Sequence, residues 1–366
     1  MPVTRICSVF LLAVAVALGA STDGMKTGRA EVKSPGPLAF GPDGVLFLGD
    51  SVGAKVFALD TGDRVPSTAD VKLDVRSVDQ KIAALLGTAP SQILIYDTAV
   101  NPISKNVYVA VSRGRGPDAI PVILKVDRAG QMTELALDQI RHSWIALPDP
   151  AQAPSLAPTL DDARNQRIDI ITCIQYVEGK VIVAGLSNEE FSSNLRSIPF
   201  PFPSERAAAG TGIEIFQTSH ANYETDAPVR TFVPVTIGGE PYILAAYTCT
   251  PLVKIPVSEL KPGNRVTGET IAEVGAGNRP LDLIAYRKGG HDYILMANSS
   301  RGVVRLPADH LESFQSITNH VGPSGIPRTR MPDWKRVHQL KKMDDATALI
   351  LTDADGSIDL RTVALP

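Results

Sequence analysis

Short, dense apolar runs recur along the chain. Each is followed by a small polar residue and then by a segment in which apolar and polar positions alternate. The plainest pair aligns without a gap: PYILAAYTCTPLVKIP (241–256) and DYILMANSSRGVVRLP (292–307), entered through GGE and GGH. The same outline appears in GVLFLGDSVGAKVFAL (44–59), KVIVAGLSNEEF (180–191) and ATALILTDADGSIDLRTV (346–363). It appears again in NVYVAVSRGRG (106–116), with a longer excursion before PVILKVD (121–127). Upstream of each run lies another apolar stretch ending in turn residues: PLAFGPDG (37–44), TAVNPISKN (98–106), CIQYVEGK (173–180), FVPVTIGGE (232–240), LIAYRKGG (283–290) and VHQLKKMDD (337–345).

Short strands punctuated by turns at this density predict an all-β chain. The dense run of each unit is apolar throughout, as a strand buried on both faces must be. Radial repetition of such units is a β-propeller. The predicted fold is a six-bladed β-propeller of four-stranded antiparallel blades over residues 21–366. One helical insertion is expected at 77–86, between the first and second units, where Ser77 and Gln80 have the spacing of a capping box. Closure is expected to pair residues near 28–34 with the strand at 358–364, which would leave no open sheet edge and make the first and last blades neighbours.

The segment FGPDGVLFLGDSVGAKVFALD (40–60) resembles the broad group of six-bladed propellers that includes the NHL-repeat, YVTN-type and gluconolactonase-like families. It covers one blade well and the others loosely. The resemblance implies a fold and little about activity, because propellers carry unrelated functions.

The N-terminus reads as a secretory leader. Arg5 precedes an apolar stretch at 6–18, and Gly19, Ala20 and Ser21 offer small residues for cleavage. No other segment is long and apolar enough to span a bilayer, so no stable membrane insertion is expected after cleavage. The expected location is periplasmic or secreted. Formal net charge is −3 with no basic block, so nucleic acid is not an expected partner. Beyond the leader only Cys173 and Cys249 remain. They form one disulfide, two separate buried thiols, or a soft-metal or redox site.

In an antiparallel hairpin the start of the first strand and the end of the second lie together. One face therefore collects Asp50, Ser112, Ser187, Tyr247, Asn298 and Asp353 from second-strand ends, and Asp97, Cys173, Thr231, Asp282 and His338 from first-strand starts. Two long connections emerge on that face. The longer, SNEEFSSNLRSIPFPFPSER (187–206), contains Phe191, Phe200 and Phe202 and reads as a folded-over flap. Loops held on a rigid scaffold favour binding, so Ser112, Asn188, Tyr247 and His338 are the expected ligand contacts. Equally, small polar residues at strand ends turn the chain and satisfy backbone groups.

Catalytic motifs are missing: there is no G-x-S-x-G, H-E-x-x-H, C-x-x-C, P-loop or dinucleotide fingerprint. The six histidines are scattered, and His220, His291 and His310 sit in turn or surface contexts. If the first and last blades are neighbours, Asp50, Asn298 and Asp353 converge, and carboxylates with an amide oxygen suit a hard divalent cation such as calcium. The resemblance to gluconolactonase-like propellers implies that such a cluster polarises an ester carbonyl, although that family's axial glutamate has no counterpart here. TDADG (352–356) is alternatively a plain hairpin turn. Two functions follow. The first is an exported propeller that binds a small molecule or a partner protein through its loop-bearing face. The second is a divalent-metal-assisted hydrolase of a lactone or ester, with Asp282 as general base.

Overall fold

The computed structural model describes residues 21–67, 71–150, 166–249, 251–275, 277–319 and 324–366. The expected leader, residues 1–20, lies outside these residues. Every unit seen in the sequence folds as consecutive antiparallel strands. The local cause is clearest at the double glycines. Ile237 pairs with Glu240, and Lys288 pairs with His291, so each turn is only Gly238-Gly239 or Gly289-Gly290. All four have positive φ, which a two-residue turn matching the strand twist requires.

The sheets are named here by their first strands. The Leu38 sheet contains Leu38–Phe40, Val45–Asp50 and Lys55–Asp60. The Ile93 sheet contains Ile93–Val100, Val107–Arg113, Ile120–Val126 and Met132–Glu134. The Cys173 sheet contains Cys173–Val177, Lys180–Leu186, Ser193–Pro199 and Thr211–Gln217. The Val229 sheet contains Val229–Ile237, Glu240–Tyr247, Pro251–Pro256 and Arg265–Glu273. The Pro280 sheet contains Pro280–Lys288, His291–Asn298, Gly302–Pro307 and Thr329–Met331. The Val337 sheet contains Val337–Lys342, Thr347–Ala354 and Ser357–Ala364.

Alternation along each second strand divides its side chains between two cores. Val45 and Phe47 pack with Val181 and Val183 of the Cys173 sheet. Leu46 and Leu48, one residue out of phase, pack with Tyr108 and Ala110 of the Ile93 sheet. The same division continues through Ile182 with Ile243, Leu244 with Ile294, Leu295 with Ala348, and Leu349 with Val109. The last of these returns to the Ile93 sheet. The sheets are thus arranged radially, as in a propeller, in the spatial order Ile93, Leu38, Cys173, Val229, Pro280, Val337, and their first strands touch in that order.

This order corrects two expectations. The Ile93 sheet stands between the first and last sequence units, so those units are not neighbours. The closing partner of the C-terminal strand is Asp74–Val75, paired with Leu360 and Arg361. Lys26–Gly28 pairs instead with Ile140–Ala146, the outer strand of the Leu38 sheet, which the chain delivers only after completing the Ile93 sheet. The outer strands of the Cys173 and Val229 sheets pair in parallel, which joins those two sheets.

The expected helix is present at Val78–Leu85, with Val78, Ile82 and Ala83 buried between the Val337 and Ile93 sheets. The capping box does not form. Ser77 is left-handed, with φ of 48° and no side-chain cap. Its backbone N–H donates to Asp359 Oδ1 at 2.9 Å, and Arg76 donates to Asp359 Oδ2 at 2.8 Å. A tertiary carboxylate from the C-terminal strand therefore holds the helix start. The flap is also corrected. Ser193–Pro199 is the third strand of the Cys173 sheet, and Phe200 and Phe202 pack on Phe47 with ring centroids 4.8 and 6.3 Å away. No helix among the described residues is long and apolar enough to cross a membrane.

Candidate functional site

Four first strands shift register near their starts, between Ile95 and Asp97, Val229 and Thr231, Pro280 and Asp282, and Val337 and Gln339. Each shift leaves one residue unpaired: Tyr96, Arg230, Leu281 or His338. A bulge of this kind re-aims a side chain and ends regular pairing. All four line a central cavity of about 460 Å³ where the inner strands begin. The five residues expected at first-strand starts, Asp97, Cys173, Thr231, Asp282 and His338, line this same cavity.

Within it lies an ion triad. Lys341 Nζ is 2.9 Å from Asp97 Oδ1 and 2.8 Å from Asp282 Oδ2. Backbone N–H groups complete the carboxylates. Leu38 donates to Asp97 Oδ2 at 2.8 Å, and Leu283 and Leu340 donate to Asp282, each at 3.1 Å. The triad thus ties together strands of four sheets. Burial pushes the Asp282 carboxyl up; Lys341 pulls it back, and Asp97 pushes it up again. Burial alone would lower the Lys341 ammonium, but the two carboxylates hold it above its ordinary value. Asp282, the expected general base, is therefore presented as an ion-pair partner with its oxygens engaged.

The expected metal ligands do not converge. Asp50 is fully buried and accepts four hydrogen bonds, from Lys33 N–H, Ser34 N–H, the Ser34 hydroxyl and Gly53 N–H, at 2.8–3.0 Å. Asn298 spends its amide on Asn278, Met296 and Gly302. Asp353 faces Arg336 at 3.7 Å. The Ile93 sheet separates Asp50 from Asp353. Among the described residues no group of three or more His, Cys, Asp or Glu side chains could hold a metal ion.

The expected ligand contacts divide. His338 is exposed at the cavity mouth. Ser112 is buried, and its hydroxyl donates to the Gly114 carbonyl, which is turn chemistry. Tyr247 is fully buried in the core between the Cys173 and Val229 sheets, and burial pushes its phenol up. Asn188 is exposed, and its N–H holds the Asp149 carbonyl. The reason is geometric: only the innermost strand reaches the axis, and second-strand ends are one strand removed from it. Cys173 and Cys249 are free thiols, so the disulfide is absent. Burial pushes the Cys173 thiol up to about 12. His220, His291 and His310 are exposed beside carboxylates, as their contexts indicated.

Sequence reasoning missed Lys341, Arg230 and Arg279. One signal for Lys341 was available: VHQLKK places a lysine at the penultimate position of a strand that must face the axis. A second groove, of about 730 Å³, runs between the Pro280 and Val337 sheets. Asn298, Trp334, Lys335 and Asp353 line it, and it shares Leu281 and His338 with the central cavity.

No family model matches the chain, nor does any curated protein. Among solved structures it is similar to a putative oxidoreductase (glucose dehydrogenase) from Thermus thermophilus, at 12% identity and TM-score 0.38 over 93% of this chain and 100% of that one. It is similar to the PQQ-bound aldose sugar dehydrogenase of Streptomyces coelicolor, at 11% identity and TM-score 0.34 over 92% and 96%. A streptogramin B lyase matches at 11% identity and TM-score 0.30 over 93% and 97%. Likeness this slight says nothing about chemistry.

Proposed function

We propose that residues 21–366 form one exported six-bladed β-propeller that binds a small molecule in its central cavity. One observation carries this reading: first-strand starts from separate sheets, several of them bulged, line a single cavity of about 460 Å³. That volume lies in the usual range for small-molecule sites, and converging polar groups in a concave site are its usual lining. A divalent-metal hydrolase has less support. An ammonium already lies between the two axial carboxylates, where a cation would bind.

The test is a ligand screen by thermal shift on the mature protein, repeated on His338→Trp. His338 is exposed at the mouth, so a larger ring there narrows entry without disturbing a core. Compounds that raise the parent melting temperature are expected to lose at least tenfold in affinity for H338W, a difference of about 1.4 kcal/mol. They should bind Glu134→Ala, on the exposed outer strand Met132–Glu134, as they bind the parent. A compound that binds the parent and H338W alike would be bound outside this cavity.

Export rests on the pattern of Arg5 and residues 6–18. N-terminal sequencing of protein recovered from a cell envelope fraction is expected to begin near Ser21. Intact Met1 in the cytoplasm would refute it.

A further inference from the structure

The rim of the central cavity has two unlike halves, and each half is contiguous in the ring. The Ile93 and Leu38 sheets and the segment entering the Cys173 sheet contribute Tyr96, Val52 and Ile168. These side chains are 47%, 48% and 57% exposed, among the few large apolar side chains left in water, and all three line this one cavity. Exposed apolar groups gathered at a concave site mark a binding surface, whereas scattered ones need no explanation. The Val229, Pro280 and Val337 sheets contribute Arg230, Arg279 and Lys341.

The cationic half is not fully paired. Arg230 is held by Asp169 at 2.7 Å and by the Thr248 hydroxyl at 3.1 Å. Lys341 is held by its two carboxylates. Arg279 stands close enough to Arg230 for their charges to repel, yet its side chain makes no hydrogen bond among the described residues. Arg279 is exposed to solvent; desolvation and Arg230 lower its pKa, and Asp169 opposes them. A cation disfavoured where it stands is one that an incoming anion would relieve. One carboxylate, Asp169, serves both guanidinium groups: it accepts a hydrogen bond from Arg230 and acts on Arg279 through charge alone.

We infer that the cavity takes a small anionic amphiphile, with its carboxylate against Arg279 and Arg230 and its apolar part against Val52, Tyr96 and Ile168. This rests on the central-cavity reading above and adds the ligand's chemical class. A guanidinium suits a carboxylate because its donors match both oxygens. Water excluded from the apolar half supplies the rest of the affinity. A flat anionic bilayer has the same chemistry but does not match a concave site.

Titration calorimetry on the mature protein tests this with sodium decanoate below its micellar range. Butyrate is the short-chain control, decyltrimethylammonium the control of opposite charge, and phosphatidylglycerol vesicles the bilayer control. Saturable binding of decanoate is expected, at least tenfold tighter than butyrate and absent for the ammonium amphiphile. Arg279→Gln and Tyr96→Ser should each weaken decanoate about tenfold, while both variants melt as the parent does. Decanoate that fails to bind, or binds no better than decyltrimethylammonium, overturns the inference. So does R279Q binding decanoate like the parent, or association with vesicles alone. The two readings fail separately. A neutral or cationic compound that binds the parent and is lost in H338W keeps the cavity reading while decanoate failure removes this one. Decanoate binding that H338W leaves untouched removes both.

Discussion

Deleting residues 357–366 is expected to abolish cooperative folding of the whole chain instead of fraying one end. The strand Ser357–Ala364 pairs along its full length with Thr347–Ala354, and through Leu360 and Arg361 with Asp74–Val75. Leu360 is buried in the core shared with the Ile93 sheet, and Leu365 in the core shared with the Pro280 sheet. Losing those two side chains alone removes about 3–6 kcal/mol of burial, against a typical total stability of roughly 5–15 kcal/mol. Asp359 goes with them, so Ser77 and Arg76 lose the carboxylate that anchors the helix start. Thr347–Ala354 becomes an open edge between two cores. Circular dichroism during heating should show a broad, weak transition, or one lowered by more than roughly 10 °C. A truncated protein whose sharp transition coincides with that of the parent would mean that this strand pair does not hold the ring.

The strands themselves were legible because their signals are local. Gly238-Gly239 and Gly289-Gly290 fix register within two residues, and runs such as 243–246 and 294–297 report burial on both faces directly. Ring order was not legible. Asp74–Val75 and Ile140–Ala146 are outer strands whose partners lie far away in sequence, and a short half-exposed strand carries no mark of the edge it will join. The third strand Ser193–Pro199 was missed for a related reason: Asn194 and Arg196 are buried within it and disguise its period.

The site was legible in part, and its errors have one cause. Hairpin geometry identifies the face, and Asp97, Cys173, Thr231, Asp282 and His338 do line one cavity there. It does not give distance from the axis, so Asp50, Ser112 and Tyr247 were gathered with them although each is enclosed one strand further out. Bulges are invisible in a single sequence. The extra residue that puts Arg230 and His338 on the cavity wall costs the alternating pattern nothing that could be noticed.

Lys341→Met is expected to lower stability by about 3–5 kcal/mol at neutral pH, because removing one member of a buried ion group leaves uncompensated charge. For a chain of this length that corresponds to roughly 4–7 °C in melting temperature. Methionine nearly matches the lysine stem in length, so lost packing contributes little. The effect should depend on pH, with a definite sign. The folded pKa of Asp282 is already above its ordinary value through burial and Asp97, and Lys341 and the backbone N–H groups donated to the carboxylate oppose that rise. In the variant the largest of those opposing influences is gone, so the pKa rises further. A raised folded pKa means that the folded state keeps a proton which the unfolded chain has released. Stability is then greatest below the ordinary carboxylate pKa, near 4, and is lost as pH rises through the folded value. The gap between parent and variant should therefore be small near pH 4 and widen towards pH 8. In the parent, the contribution of Lys341 is complete below the ordinary lysine pKa and is lost only in strong alkali, since its folded value is raised. The double variant Lys341→Met with Asp282→Asn removes the group that titrates and should flatten the pH dependence while recovering part of the stability. Melting temperatures of the three proteins at pH 5 and pH 8 decide the matter. If the gap is the same at both pH values, Lys341 holds the sheets by packing alone and the triad is not an electrostatic clasp.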